Sequence, residues 1–92
     1  MAHLDEKEIA EFVKGHSDWE AQRGSLVAEF EHKDFAGAME FVNKIAAEAE
    51  KANHHPDIDI RWNRVRLVLS THSEGGVTQK DLDLAHSISI LA

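Results

Sequence analysis

Three histidines stand where a small fold would concentrate chemistry. His54 and His55 are adjacent and directly precede Pro56, the one proline of the chain, and His72 follows an alternating apolar run that ends at Leu69. Imidazole ordinarily titrates near neutrality, so three of them offer both proton donors and proton acceptors. If the segment Val65 to Leu69 runs back antiparallel beside Ile58 to Trp62, the residue beyond its end returns to the start of its neighbour. His72 is thereby expected close to Pro56 and the His pair. The chemistry this predicts is acid and base catalysis at one mouth of a sheet, where loops on a rigid scaffold collect functional groups. For a single histidine a surface or core role is the ordinary reading; the grouping is what favours function.

Other chemistries fit the same residues less well. Neighbouring side chains of an extended segment point to opposite sides, so His54 and His55 share one metal ion only across a tight kink. No Cys and no H-x-x-x-H pair supplies further ligands, and no metal is expected. Ser70 and Thr71 precede His72, but no nucleophile-elbow pattern of glycines surrounds them, and Ser70 reads as a strand end. Gly75-Gly76 reads as a turn and not as a phosphate cradle. Glu50 sits near a helix C-terminus, where the helix dipole disfavours a carboxylate; either a purpose or a solvated surface position accounts for it.

The elements that must position these residues follow from period and caps. Asp5 and Glu8 form a capping box ahead of Ile9, Phe12 and Val13, and this first helix should end near Lys14-Gly15. Trp19 opens a hairpin broken at Arg23-Gly24, with Leu26, Ala28 and Phe30 on one face. Asp34 caps a helix carrying Phe35, Met39, Val42, Ala46 and Ala49 on one stripe and Ala38, Phe41 and Ile45 on the next. One side should cover the sheet; either an oligomer contact or burial in a small core takes up the remaining apolar width. Pro56 ends that helix and fixes the backbone that aims the His pair. Ile58, Ile60 and Trp62 then alternate as a strand, Asn63 turns the chain, and Val65, Leu67 and Leu69 alternate as its partner. Thr78 and Asp81 start a last helix with Val77 and Leu82 as a hydrophobic staple, and capping alone is enough to explain Asp81. The order α-β-β-α-β-β-α predicts an α+β fold, a four-stranded antiparallel sheet with helices packed on one face.

Bulk properties bound the function. Ninety-two residues, 42% of them hydrophobic, suit one domain over residues 1–92 with a modest core, for which self-association is a natural way to cover apolar area. A net charge of −7 and a pI near 5.4 argue against direct nucleic-acid binding. The absence of cysteine excludes disulfides and thiolate metal sites. The segment Met1 to Lys7 lacks an apolar signal core and no run reaches membrane-spanning length, so a cytoplasmic protein without membrane contact is expected.

The segment Ala49-Glu50-Lys51-Ala52-Asn53-His54-His55-Pro56, its continuation to Trp62, and Leu69-Ser70-Thr71-His72 resemble the pterin-4a-carbinolamine dehydratase family, also known as dimerisation cofactor of a homeodomain transcription factor. The likeness continues through Lys80-Asp81-Leu82-Asp83-Leu84-Ala85 and, more weakly, upstream through Lys33-Asp34-Phe35 and Trp19. The resemblance implies a helix-backed antiparallel sheet, a homodimer or homotetramer, and a pterin pocket at one end of the sheet. It implies removal of water from a 4a-hydroxytetrahydropterin without a cofactor, in support of tetrahydropterin recycling and with a functional link to an aromatic amino acid hydroxylase. Carried over by position, His54, His55 and His72 become the acid-base and pterin-contacting residues. Glu50 and Asp81 become supporting carboxylates, and Trp19 a pocket-wall aromatic. A non-catalytic interaction or assembly factor on the same fold is the alternative.

Overall fold

The structure, a computed structural model, describes residues 3–92; Met1 and Ala2, where the N-terminal reading began, lie outside them. Helix α1 (Glu6–Gly15) leads into strands β1 (Trp19–Gln22) and β2 (Ser25–Glu31). Helix α2 (Phe35–Ala52) follows, then β3 (Asp57–Arg61), β4 (Arg64–Leu69), a 3₁₀ turn at His72–Glu74 and helix α3 (Gln79–Leu91). This is the expected order, and all strand pairs are antiparallel. The sheet order is β1-β2-β4-β3, so the two hairpins meet along β2 and β4 and leave β1 and β3 at the edges.

Local signals set the boundaries. Glu8 N–H donates to Asp5 Oδ1 at 2.8 Å and Asp5 N–H to Glu8 Oε1 at 3.1 Å, closing the box that starts α1. Gly37 N–H donates to Asp34 Oδ1 at 2.8 Å and starts α2. That helix stops at Asn53, whose left-handed backbone (φ 52°, ψ 42°) lets its N–H reach the Ala49 and Glu50 carbonyls.

The core lies between the sheet and α2 and α3. Leu26, Ala28, Val65, Leu67 and Leu69 point at Ala38, Phe41, Ile45 and Ala49 of α2 and at Leu84, Ala85 and Ile88 of α3, all buried. Val77 and Leu82 are buried at the start of α3, as a hydrophobic staple requires. Of the two stripes of α2, the one that begins at Phe35 is less covered: Phe35 is 50% exposed, Ala46 is exposed, Met39 and Val42 are partly buried, and only Ala49 is buried. On the sheet's other face Arg66 lies across from Glu29 on β2 and Asp59 on β3, a row of alternating charge.

Trp62 departs from its expected place in a strand. Strand β3 ends at Arg61, and Trp62-Asn63 form the two-residue connection to Arg64. The indole is 65% exposed and its φ is +51°. Two long-range bonds hold this turn: His32 N–H to the Asn63 carbonyl at 2.7 Å, and Asn63 Nδ2 to the His32 carbonyl at 2.9 Å. Ile58 and Ile60 share the helix-facing side of the sheet with Leu67 and Val65. Ile58 remains 38% exposed because β3 is an edge strand.

Candidate active site

The end of α2 sends its two histidines in different directions. With Asn53 in the left-handed region, His54 N–H still bonds the Ala49 carbonyl at 3.1 Å, and the chain then leaves the helix toward Pro56 and β3. His54 turns inward, its side chain 12% exposed. His55 turns outward, its side chain 56% exposed. The two rings therefore meet different partners, His54 the buried Asp81 and His55 the exposed Glu50.

His54 meets a buried carboxylate. Its Nε2 lies 2.5 Å from Asp81 Oδ1, and Asp81 is wholly buried. The other oxygen, Oδ2, accepts from Thr71 Oγ1 at 2.7 Å and from Thr78 N–H at 2.9 Å. Thr71 Oγ1, its proton committed to Asp81, is itself 2.8 Å from Thr78 Oγ1 and accepts from it. A buried carboxylate is tolerated only when hydrogen bonded, and here three donors on two oxygens meet that need. Because the carboxylate can only accept, His54 carries its proton on Nε2 and, when neutral, presents the lone pair at Nδ1. Asp81 thus caps α3 and orients His54 at once.

A second carboxylate–imidazole pair lies in the open. His55 Nε2 is 2.7 Å from Glu50 Oε2, with the Glu50 side chain 79% exposed. Spacing along the last turn of α2 and the reversal at Asn53 bring these two together. The site thus has one imidazole locked by a buried acid and one held by a solvated acid.

His72 opens the 3₁₀ turn and is exposed; its ring makes no hydrogen bond among the described residues. The backbone brings it to this end of the sheet. Thr71, its neighbour, bonds the same carboxylate as His54 and closes the loop through a bridge to Gly76. Pro56, partly buried, joins the His pair to β3. Trp19 is elsewhere: it is 2% exposed on the helix-covered face and its Nε1–H donates to Ser89 Oγ of α3 at 3.0 Å. It packs the core opposite the small Ala28. An open cavity of about 250 Å³ adjoins the network, lined by Thr71, Ser73, Glu74, Thr78, Gln79 and Lys80, and none of the three histidines lines it. Among the described residues no three His, Asp or Glu side chains stand grouped as metal ligands.

Sequence reasoning missed Thr71 and Thr78 as parts of the site. The hairpin return that places His72 applies equally to Thr71, and the capping box fixes Thr78 beside Asp81, so both signals were present.

A family model described as pterin 4 alpha carbinolamine dehydratase matches residues 2–91. The chain belongs to this family. A relative from Acidobacterium capsulatum is 52% identical over 91 residues, covering 99% of each chain, and one from Thermomicrobium roseum is 48% identical over 92 residues, covering 100% of this chain and 99% of its own. Both carry the family name provisionally. A crystal structure from Brucella melitensis, described as a transcriptional coactivator/pterin dehydratase, superposes with a TM-score of 0.94 at 36% identity, covering 98% of each chain. A pterin dehydratase-like protein identified as a RuBisCO assembly factor in the alpha-carboxysome shares the fold, with a TM-score of 0.66 at 21% identity over 80% of this chain and 86% of its own. The pterin-4a-carbinolamine dehydratase family thus includes this chain along nearly its whole length.

Proposed function

We propose that this chain dehydrates a 4a-hydroxytetrahydropterin to the quinonoid dihydropterin and water. The observation that carries the reading is the His54–Asp81 pair, an imidazole fixed in one tautomer by a buried, fully hydrogen-bonded carboxylate. A purely structural histidine does not need so constrained a partner, and membership of the family supplies the pterin as substrate.

In the reaction the C4a–O bond breaks while one proton reaches the departing oxygen and one leaves N5. The electron pair of the N5–H bond becomes the new N5–C4a double bond, and no net proton is consumed. An acid and a base on two sides of the ring system are required, each worth about two to four powers of ten in rate. In this reading His54, through Nδ1, and His72 are that pair. His55, backed by Glu50, binds or orients the pterin, and Asp81 positions His54.

Turnover of a 4a-hydroxytetrahydropterin by the wild type, His54→Ala and His72→Ala tests this. Losses of at least a hundredfold in kcat are expected in both variants, and wild-type activity in both removes the assignment. Absence of turnover in the wild type itself favours the non-catalytic assembly reading. The same proposal includes one domain, a cytoplasmic setting, tetrahydropterin recycling for an aromatic amino acid hydroxylase, and a homodimer or homotetramer. The half-open stripe of α2 at Phe35 and Ala46 supports self-association.

A further inference from the structure

The loop that carries His72 is touched by a segment far from it in sequence. Leu4 N–H donates to the Val77 carbonyl at 2.8 Å, so residues 3–4, which lead into α1, cross the end of the loop just before α3. The Leu4 side chain is anchored as well. It directly precedes the Asp5 cap, the position from which a hydrophobic staple reaches the fourth residue of the helix, here Ile9, and both side chains pack against the core.

His3 completes the contact. A carbonyl can only accept, so its Nδ1 donates to the Leu4 carbonyl at 3.1 Å, and the side chain lies against Gly76. A Cβ added at Gly76 would meet His3 Cβ at 3.3 Å and Cγ at 3.4 Å, closer than the about 3.5–4.0 Å of ordinary carbon contacts. The three nearest atoms beyond its chain neighbours all belong to His3. Gly75 has a left-handed backbone at φ +76°, but Gly76 does not. The second glycine thus answers to the close approach of another segment and not to a turn.

The loop so covered carries two residues of the site. Thr71 N–H donates to the Gly76 carbonyl at 2.9 Å across its neck, and Glu74 N–H to the Thr71 carbonyl at 2.9 Å and Gly75 N–H to the His72 carbonyl at 3.1 Å close the 3₁₀ turn. Asp81 fixes Thr71 and Thr78 from the inside. The His72 ring has no such hold, since it makes no hydrogen bond among the described residues. Its place therefore depends on the backbone of the turn, which Leu4 and His3 grip from the outside.

We propose that His3 and Leu4 form a strap that braces the loop over residues 71–77 and so serve as positioning residues for His72. The brace follows from the contacts alone; its effect on turnover rests on the dehydratase reading. A displacement of about 1 Å in a reacting group can cost about a hundredfold in rate. A strap that limits excursions of the turn therefore acts on kcat, through His72.

Amide hydrogen exchange and steady-state kinetics on the full chain, with His3→Ala, His3→Phe and Gly76→Ala, test the strap. In the wild type the Leu4 amide should be protected although it lies ahead of α1. In His3→Ala and Gly76→Ala the amides of residues 4, 71 and 76 are expected to exchange at least about fivefold faster, with those of β2 and β4 unchanged. His3 is exposed, so His3→Ala keeps the fold and the sheet amides verify it. His3→Phe keeps a ring over Gly76 and should stay near wild type. In the same two variants kcat should fall about three- to tenfold with KM nearly constant, and neither should lower it further in a His72→Ala background. Wild-type exchange at residues 4, 71 and 76 in both variants, acceleration shared equally by the sheet amides, kcat unchanged while the loop opens, or an equal loss of kcat in the His72→Ala background overturns the proposal. A wild type that does not turn over a 4a-hydroxytetrahydropterin removes the dehydratase reading instead, and exchange alone then decides the strap.

Discussion

The hydroxyl of Thr71 donates to Asp81 Oδ2, the oxygen opposite the one that holds His54. Strand end, helix start and the His54 imidazole are therefore joined through one carboxylate. Replacing Thr71 by valine preserves shape and deletes a donor to a buried charge, at a cost of about 1–3 kcal/mol in stability. In the dehydratase reading kcat also falls, by less than in His54→Ala, and Thr71→Ser restores both. Chemical denaturation alongside single-turnover rates measures the two effects; wild-type stability in Thr71→Val would contradict the network.

Asp81→Asn tests the tautomer. The amide can still accept from Thr71 and Thr78 through its oxygen, but its Nδ2 then faces His54 and donates, which forces the ring proton to Nδ1. Turnover is expected to drop by about two to four powers of ten while the fold persists. Asp81→Ala instead strands several buried partners and should cost about 3–5 kcal/mol. Nitrogen-15 spectra of the His54 ring would report the change of protonated nitrogen directly.

The exposed pair behaves differently from the buried one. Glu50→Gln removes a charge that is already in water, so stability should stay within about 0.5 kcal/mol of wild type. If His55 holds the pterin, the effect appears mainly in KM, with kcat changed far less than in Asp81→Asn. A reversed pattern, kcat lost and KM kept, would move His55 into the proton-transfer steps.

With one imidazole acting as acid and another as base, the turnover rate should be bell-shaped in pH. It falls on the acid side as the base becomes protonated and on the alkaline side as the acid loses its proton. A rate that stays flat between about pH 5.5 and 8.5 is incompatible with histidine acid-base chemistry. Removal of His72 is expected to abolish one limb.

Trp62 holds a left-handed backbone that side-chain-bearing residues adopt at a cost of about 1–2 kcal/mol. Its ring is mostly in solvent, so little packing is lost on truncation. Trp62→Gly should therefore leave the monomer as stable or raise its stability by up to about 1 kcal/mol. Thermal unfolding of the variant checks this, and a drop of several degrees would mean that the indole is covered by something outside a single chain.

What was legible in the sequence was what short stretches determine. The boxes at Asp5/Glu8 and Thr78/Asp81, the Asp34 cap and the proline stop after Asn53 depend on contacts within four or five residues, and each lies where the residue types put it. The hairpin return also delivered the strand end beside the His pair. What period cannot express is which strand is outermost. The pairing of β2 with β4 spans more than thirty residues, and it is this pairing that leaves Ile58 half open at an edge and Trp19 under the helices. Alternation likewise could not separate Trp62 in a strand from Trp62 in its turn. Thr71 went unread although the hairpin return places it with His72, because its hydroxyl finds Asp81 only where that return meets the start of α3.

Docking of that terminal helix has a further implication. Since Asp81 belongs to its first turn and, among the described residues, its carboxylate has no polar partner outside the Thr71, Thr78 and His54 cluster, any excursion in which α3 swings off the sheet withdraws the anchor of the imidazole while the hairpins remain paired. In the dehydratase reading, turnover should accordingly vanish at a milder denaturant concentration than sheet structure does, which makes its rate a gauge of local opening.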